Sequence, residues 1–248
     1  MSRQLFIRDE NASGALRKLL QPDAAIDLWL CTLDRSESEI VGLERSLSPE
    51  ERTRADRFGT PGLRSRWIVG RGTLRMLLAQ VLGVEATAVR LRRGRRGRPE
   101  IDDHHSLDFN VSHTDGVALI GIFAQPQHAR IGVDIERVDR VVNADRLAQK
   151  FLTARERLRL EPLDQPSRKG QFLRLWTCKE AMSKATGDAL SAPFGTLDVD
   201  LHGEDPAGHP QLIDGPSPYV PANWRLLNAA VPSDFYATVA IWSAPAPD

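Results

Sequence analysis

Residues 47–58 read Leu47-Ser48-Pro49-Glu50-Glu51-Arg52-Thr53-Arg54-Ala55-Asp56-Arg57-Phe58, and Leu152 to Pro162 answer them as LTARERLRLEP. Leu47 and Arg52 find counterparts in Leu152 and Arg157. The first copy opens as a helix should: Ser48 is a capping residue, Pro49 suits the first helical position, and Glu50 and Glu51 lie in the first turn. Beyond it, the spacing predicts a helix from about Leu63 to Leu82. Trp67, Leu74, Leu77, Leu78 and Val81 would face a core, with Arg66, Arg71 and Arg75 leaving by another side. Beyond the second copy, Gln171 to Thr186 takes the same place, Trp176 answering Trp67.

Strands flank these helices. Ala25 to Leu33 alternates, and Asp108 to Phe123 (DFNVSHTDGVALIGIF) reads as two strands about a turn at Asp115-Gly116. After a break at Pro126-Gln127 comes a strand holding Ile131-Gly132-Val133-Asp134-Ile135-Glu136. Later, NAAVPSDFYATVAIW repeats the apolar pattern of NVSHTDGVALIGIF. An α/β (α+β) fold follows, built from a pseudo-two-fold pair of subdomains, residues 1–128 and 129–248, each a small antiparallel sheet packed with a long helix. A ligand cleft is expected at the seam between them. His202 to Pro221 reads as an irregular excursion and Ser243 to Asp248 as a loose tail.

Bulk properties narrow the class. The 248 residues suffice for a sizeable core, and no run of 18 apolar residues offers a membrane span. The start MSRQLFIRDE lacks a signal-peptide pattern, so a cytoplasmic location is expected. Cys31 and Cys178 are too few for a disulfide scaffold and lack the neighbours of a zinc or redox motif. Net charge is zero, yet Arg90 to Arg98 (RLRRGRRGR) packs six arginines into nine positions. Such a cluster could hold nucleic-acid phosphate, but the neutral total and the lack of interleaved aromatics argue against it. No nucleic-acid or membrane partner is expected.

The chemistry lies in four segments. Asp134 and Glu136, two apart in a strand, share a face, where paired carboxylates need a cation or several donors. A hard divalent cation such as Mg²⁺ would satisfy them; solvated acids paired with Arg137 or Arg140 are the plainer alternative. Glu180 and Lys184 are four apart and share a helix face with Trp176 and, at its edge, Lys179. Glu180 could complete a metal set and Lys184 could meet phosphate, unless they form an ordinary surface pair. His113 can donate a ring hydrogen to phosphate, while Asn110 and Ser112 are expected to hold the turn. Gly94 to Pro99 (GRRGRP) turns tightly and offers arginine forks, without being a Walker loop. His104 and His105 read as loop residues. No nucleophile triad is legible, and the inventory suits transfer at a pyrophosphate.

These segments resemble those of the 4′-phosphopantetheinyl transferases, in particular the large monomeric type that activates surfactin synthetase. The carriers are GRP at 97–99, FNVSH at 109–113, GVDIE at 132–136 and WTCKEAMSKATG at 176–187. The resemblance implies transfer of the phosphopantetheine arm of coenzyme A to a serine of an apo acyl or peptidyl carrier protein, releasing adenosine 3′,5′-bisphosphate, in polyketide or nonribosomal peptide assembly among other settings. It implies a monomer with Mg²⁺ on Asp134, Glu136 and Glu180, and it makes Asp134, Glu180 and Lys184 the catalytic groups. By the same resemblance Arg54, Arg66, Gly97, Arg98, Pro99, Ser112, His113 and Lys184 line the coenzyme A site, with Arg52 or Arg57 as substitutes for Arg54.

Overall fold

A computed structural model describes residues 15–20, 23–102, 106–124, 129–201 and 208–244, without the Arg95 side chain. His104 and His105, the break at Pro126-Gln127, the start of the 202–221 excursion, the extreme N-terminus and the last four residues lie outside the described residues. So does the junction proposed at 128/129.

The first half runs β1 (Leu16–Leu19), β2 (Ile26–Thr32), α1 (Glu37–Glu44), α2 (Pro49–Ala55), α3 (Pro61–Leu82), β3 (Leu91–Arg93), β4 (Pro99–Ile101), β5 (Leu107–Thr114) and β6 (Val117–Ala124). The second runs β7 (Ala129–Arg137), α4 (Ala144–Phe151), α5 (Ala154–Leu160), α6 (Gln165–Thr186), β8 (Asp198–Asp200), β9 (Gln211–Asp214), β10 (Trp224–Asn228) and β11 (Phe235–Ser243). Two antiparallel sheets result, ordered β1-β2-β6-β5 and β10-β11-β7, with small two-stranded ribbons β3-β4 and β8-β9 beside them. The core of each half repeats: β2-β6-β5 in one corresponds to β7-β11-β10 in the other.

The repeat extends to single hydrogen bonds. Ser48 and Thr153 each cap a helix and complete a capping box with Glu51 and Glu156. Arg52 donates to Leu47 O at 2.8 Å, and Arg157 donates to Leu152 O at 2.7 Å. Leu47 and Leu152 are both buried. Helices α3 and α6 have 22 residues each and end on a left-handed glycine, Gly83 and Gly187.

That common end corrects the expected register. Counting back from the two glycines aligns Trp176 with Gly72, not with Trp67, and aligns Lys179 with Arg75. The side chains agree: Arg75 turns inward to Glu51, and Lys179 turns inward to Glu156 at 2.6 Å. Arg75 therefore does not leave by the polar side as the helix pattern suggested, because Glu51 on the neighbouring short helix supplies a buried counter-charge. Val81, expected in the core, is 46% exposed near the end of α3. Trp176 instead joins Phe151, Phe172 and Phe194 in the aromatic centre of the second half.

Strands β5 and β7 are the facing edges of the two sheets. Exposed edge N–H groups must find partners, and here side chains of β5 supply them. Asp108 Oδ2 accepts from Ile131 N at 2.8 Å and Asn110 Oδ1 accepts from Val133 N at 3.1 Å. Two residues on, Ser112 donates to Asp134 Oδ1 at 2.8 Å. Asn110 and Ser112 thus stitch the seam; they do not hold the turn.

Helix α6 crosses the same seam at backbone distance. A Cβ placed on Gly132 would stand 1.9 Å from Ala181 O and 2.6 Å from Ala185 N. Only glycine in the strand, facing alanines in the helix, permits this approach. It sets Glu180 and Lys184 directly over the strand that carries Asp134 and Glu136.

Candidate active site

Asp134 is buried beneath α6. Its Oδ1 accepts from Lys184 Nζ at 2.5 Å as well as from Ser112, and Lys184 also donates to Ser112 Oγ at 2.8 Å. Its Oδ2 is buried with no partner, and the same holds for Oε1 of Glu180. Glu136 stands on the same strand face and pairs with Arg140.

The carboxylates act on one another. Burial, then the charge of Asp134, pushes Glu136 up to about 7, against the pull of Arg140 and Lys184. Burial followed by Asp134 also raises Glu180, again opposed by Lys184 and Arg140. Three acids from β7 and α6 therefore share one region, and two leave a buried oxygen unsatisfied. Left so, such oxygens cost desolvation energy; a hard cation would accept both lone pairs and cancel the repulsion. The donor set fits a divalent ion. Among the described residues no group of three His, Cys, Asp or Glu side chains is already gathered as a metal site; in this form Lys184 stands on Asp134 Oδ1 and Arg140 on Glu136, and the buried Oδ2 of Asp134 and Oε1 of Glu180 are left open.

Glu136 makes stability depend on pH. Its folded pKa lies above the ordinary carboxylate value, so its contribution is complete below about 4.5 and is lost as pH rises through about 7. With screening at its partly open side, the loss is about 2 kcal/mol. Urea unfolding in a chelator is expected to show the wild type losing more stability than Glu136→Gln between pH 5 and 8. Parallel profiles would contradict the shift.

The other predicted residues divide into two groups. His113 follows Ser112 at the end of β5, with its Nε2 3.3 Å from where a Gly70 Cβ would lie. The residue is exposed by surface area although protein atoms crowd the ring, and desolvation, followed by the charge of Lys184, lowers its pKa. Both causes act in one direction, leaving a neutral imidazole with one N–H to give. Arg66, one turn before Gly70, forks onto Asp34 at 2.7 and 2.9 Å and reaches Asp115 at 2.9 Å. Arg54 lies farther off on α2, exposed, its guanidinium 5.5 Å from the Trp67 ring centre.

Gly97, Arg98 and Pro99 sit at the other end of the seam. The turn is tight, with Arg96 and Gly97 both at positive φ. Arg98 is buried and enters the frame: it forks onto Asp108 at 3.0 and 2.7 Å and donates to Phe109 O, Ile131 O and Lys184 O. With its donors engaged by β5, β7 and the last turn of α6, Arg98 is a clamp, and the expected phosphate contact is not open to it in this form. Lys179, placed by the sequence at the edge of the Glu180 face, is fully buried on Glu156, Phe151 O and Phe194 O. Sequence reasoning missed Asp108 and Arg98 as a pair; of the two arginines it offered as partners of the strand acids, the structure pairs Arg140 with Glu136 and turns Arg137 to Asp139. The period-two row Asp108, Asn110, Ser112 was the available signal.

Two surface cavities, of about 590 and 640 Å³, lie away from the acids. The first is lined by Arg96, Asp188, Tyr219 and Trp242 among others, the second by His209, Trp224 and Arg225 among others.

A two-fold α/β frame with acids, a lysine and a neutral histidine at its seam defines an enzyme built to handle anionic groups. Residues 130–240 match the model of the 4′-phosphopantetheinyl transferase superfamily, and residues 33–124 match that of the 4′-phosphopantetheinyl transferase N-terminal region. The 4′-phosphopantetheinyl transferase HetI of Nostoc sp. is 35% identical over 219 residues, 87% of each chain. A putative 4′-phosphopantetheinyl transferase of Synechocystis sp. is 32% identical, covering 88% of this chain and 85% of the other. Sfp of Bacillus subtilis, also a 4′-phosphopantetheinyl transferase, is 28% identical over 69% of this chain and 74% of its own. The chain belongs to the 4′-phosphopantetheinyl transferase superfamily and is an enzyme of that class.

Proposed function

We propose that the chain moves the phosphopantetheine arm of coenzyme A to a serine of an apo carrier-protein domain and releases adenosine 3′,5′-bisphosphate, using Mg²⁺ held by Asp134, Glu136 and Glu180. The observation that carries the reading is the pair of buried, unpartnered oxygens on Asp134 and Glu180 beside the raised Glu136. When bound there, the cation would supply Lewis-acid stabilisation of a pyrophosphate.

The protein's own groups divide the remaining work. Glu180, with its raised pKa, accepts the serine proton as the new O–P bond forms. Lys184, held over the seam by Asp134 and Ser112, neutralises charge on the departing bisphosphate as the P–O bond of the pyrophosphate breaks. His113 donates its N–H to a phosphate oxygen of coenzyme A, and Arg66 can turn from its exposed acids toward the same end. Ser112 positions Lys184, and Arg98 with the Gly97–Pro99 turn holds the end of α6 that carries it. No covalent enzyme intermediate is needed. A division at 128/129, a monomer and a cytoplasmic location belong to the same proposal; no helix among the described residues is long and apolar enough to cross a membrane.

The test is incubation with coenzyme A, Mg²⁺ and a panel of apo carrier proteins serving lipid, polyketide and nonribosomal peptide assembly. Intact mass is expected to show addition of the phosphopantetheine arm to at least one carrier, and none in chelator. No addition to any carrier by folded protein, or coenzyme A cleavage without an acceptor, would overturn it. His113→Ala is expected to raise KM for coenzyme A about tenfold while kcat falls less than threefold, as loss of one charge-assisted bond implies. An unchanged KM in steady-state assays would return His113 to a structural role.

A further inference from the structure

The two protein cations beside the acids are held differently. Lys184 projects from the packed helix α6 onto Asp134 and Ser112, and its side chain is 26% exposed. Arg140 comes from the irregular segment 138–143 between β7 and α4, its side chain is 40% exposed, and its ion pair is with Glu136. The charge of Arg140 also reaches Glu180. It therefore stands at the open side of the three acids, while the unpartnered oxygens of Asp134 and Glu180 lie at the buried side. Its neighbour Arg137 points away: it forks onto Asp139 at 2.8 and 2.7 Å and lies 5.7 Å from the Phe235 ring centre.

A divalent ion on Glu136 and an arginine on the same carboxylate compete, by like charge and for the oxygen that Arg140 holds. An exposed ion pair costs little to break, whereas Lys184 would have to leave a buried acid and a hydroxyl together. Arg140 is the cation that yields. We propose that Arg140 is a displaceable counter-ion: it neutralises Glu136 in the cation-free enzyme, withdraws when a divalent ion takes that carboxylate, and so sets the affinity for the ion. The inference rests on the cation reading above.

Mn²⁺ is the probe, its free concentration followed by electron paramagnetic resonance in the absence of coenzyme A and carrier protein. Arg140→Ala is expected to bind Mn²⁺ roughly tenfold more tightly than wild type, since one nearby competing charge is lost at a partly screened site. Arg140→Lys should stay near wild type, and Arg137→Ala within about twofold of it. In chelator at pH 8, Arg140→Ala should unfold at slightly lower urea than wild type and should gain more on adding Mn²⁺. Equal or weaker binding by Arg140→Ala overturns the inference, and so does an equal gain in Arg137→Ala, which would reduce the effect to overall charge. Absence of Mn²⁺ binding in every protein, each shown folded, overturns the cation reading itself and this inference with it.

Discussion

Asp134→Asn is expected to reduce transfer at least about a thousandfold, because it removes the charge that both the cation and Lys184 use at the reacting phosphate. Asparagine is the right replacement. Asp134 is buried and accepts from both Lys184 and Ser112, so alanine would leave those donors facing a void and confuse chemistry with folding. The amide keeps the volume and one acceptor. It also removes the charge that raises Glu136 and Glu180, which offsets part of the lost ion pair with Lys184, so the cation-free protein should stay folded, within about 2 kcal/mol of wild type in urea. Single-turnover transfer measured beside a urea titration checks both halves. Turnover within tenfold of wild type at saturating Mg²⁺ would remove Asp134 from the centre of the mechanism.

Gly132→Ala is expected to cost about 3 kcal/mol or more, a large effect for one methyl group. The added carbon would meet a helix carbonyl and a helix nitrogen, at 1.9 and 2.6 Å, and neither can rotate away as a side chain could. Helix α6 must lift from β7. That movement would part Lys184 from Asp134, so variant protein that does fold should retain little transfer. Chemical denaturation and the transfer assay read the two consequences. An unaltered urea midpoint would mean that the helix and strand are not in backbone contact.

Much of this is legible in the amino-acid sequence. Strand alternation places Asp134 and Glu136 on one face, and the interval of four places Glu180 and Lys184 on one face. Each is local geometry that any strand or helix imposes. Ser48 with the acids of its first turn announced one helix start for the same reason, and the structure shows the same capping box in the echoed segment, Thr153 with Glu156. The internal repeat gave the two-fold frame, though matching the tryptophans misjudged its register by several residues. The glycine caps at 83 and 187 would have set it correctly, because a left-handed cap marks the end of a helix more sharply than an apolar side chain marks its face.

Charged residues were another matter. Arg98 read as a phosphate fork and became the clamp on Asp108; Arg75 read as a surface residue and went inside with Glu51; Lys179 read as an edge residue and was buried on Glu156. A long cation turns toward whichever acid or carbonyl the fold brings within reach, and that partner lies 10 to 86 residues away in these cases. Spacing along a chain says which way a side chain leaves the backbone and nothing of what waits opposite. The sequence by itself therefore determined the elements, their repetition and the faces on which the acids stand. Only the tertiary structure decided which cations answer those acids, and that Arg140 holds the open side, because charge pairing is settled by distances through space.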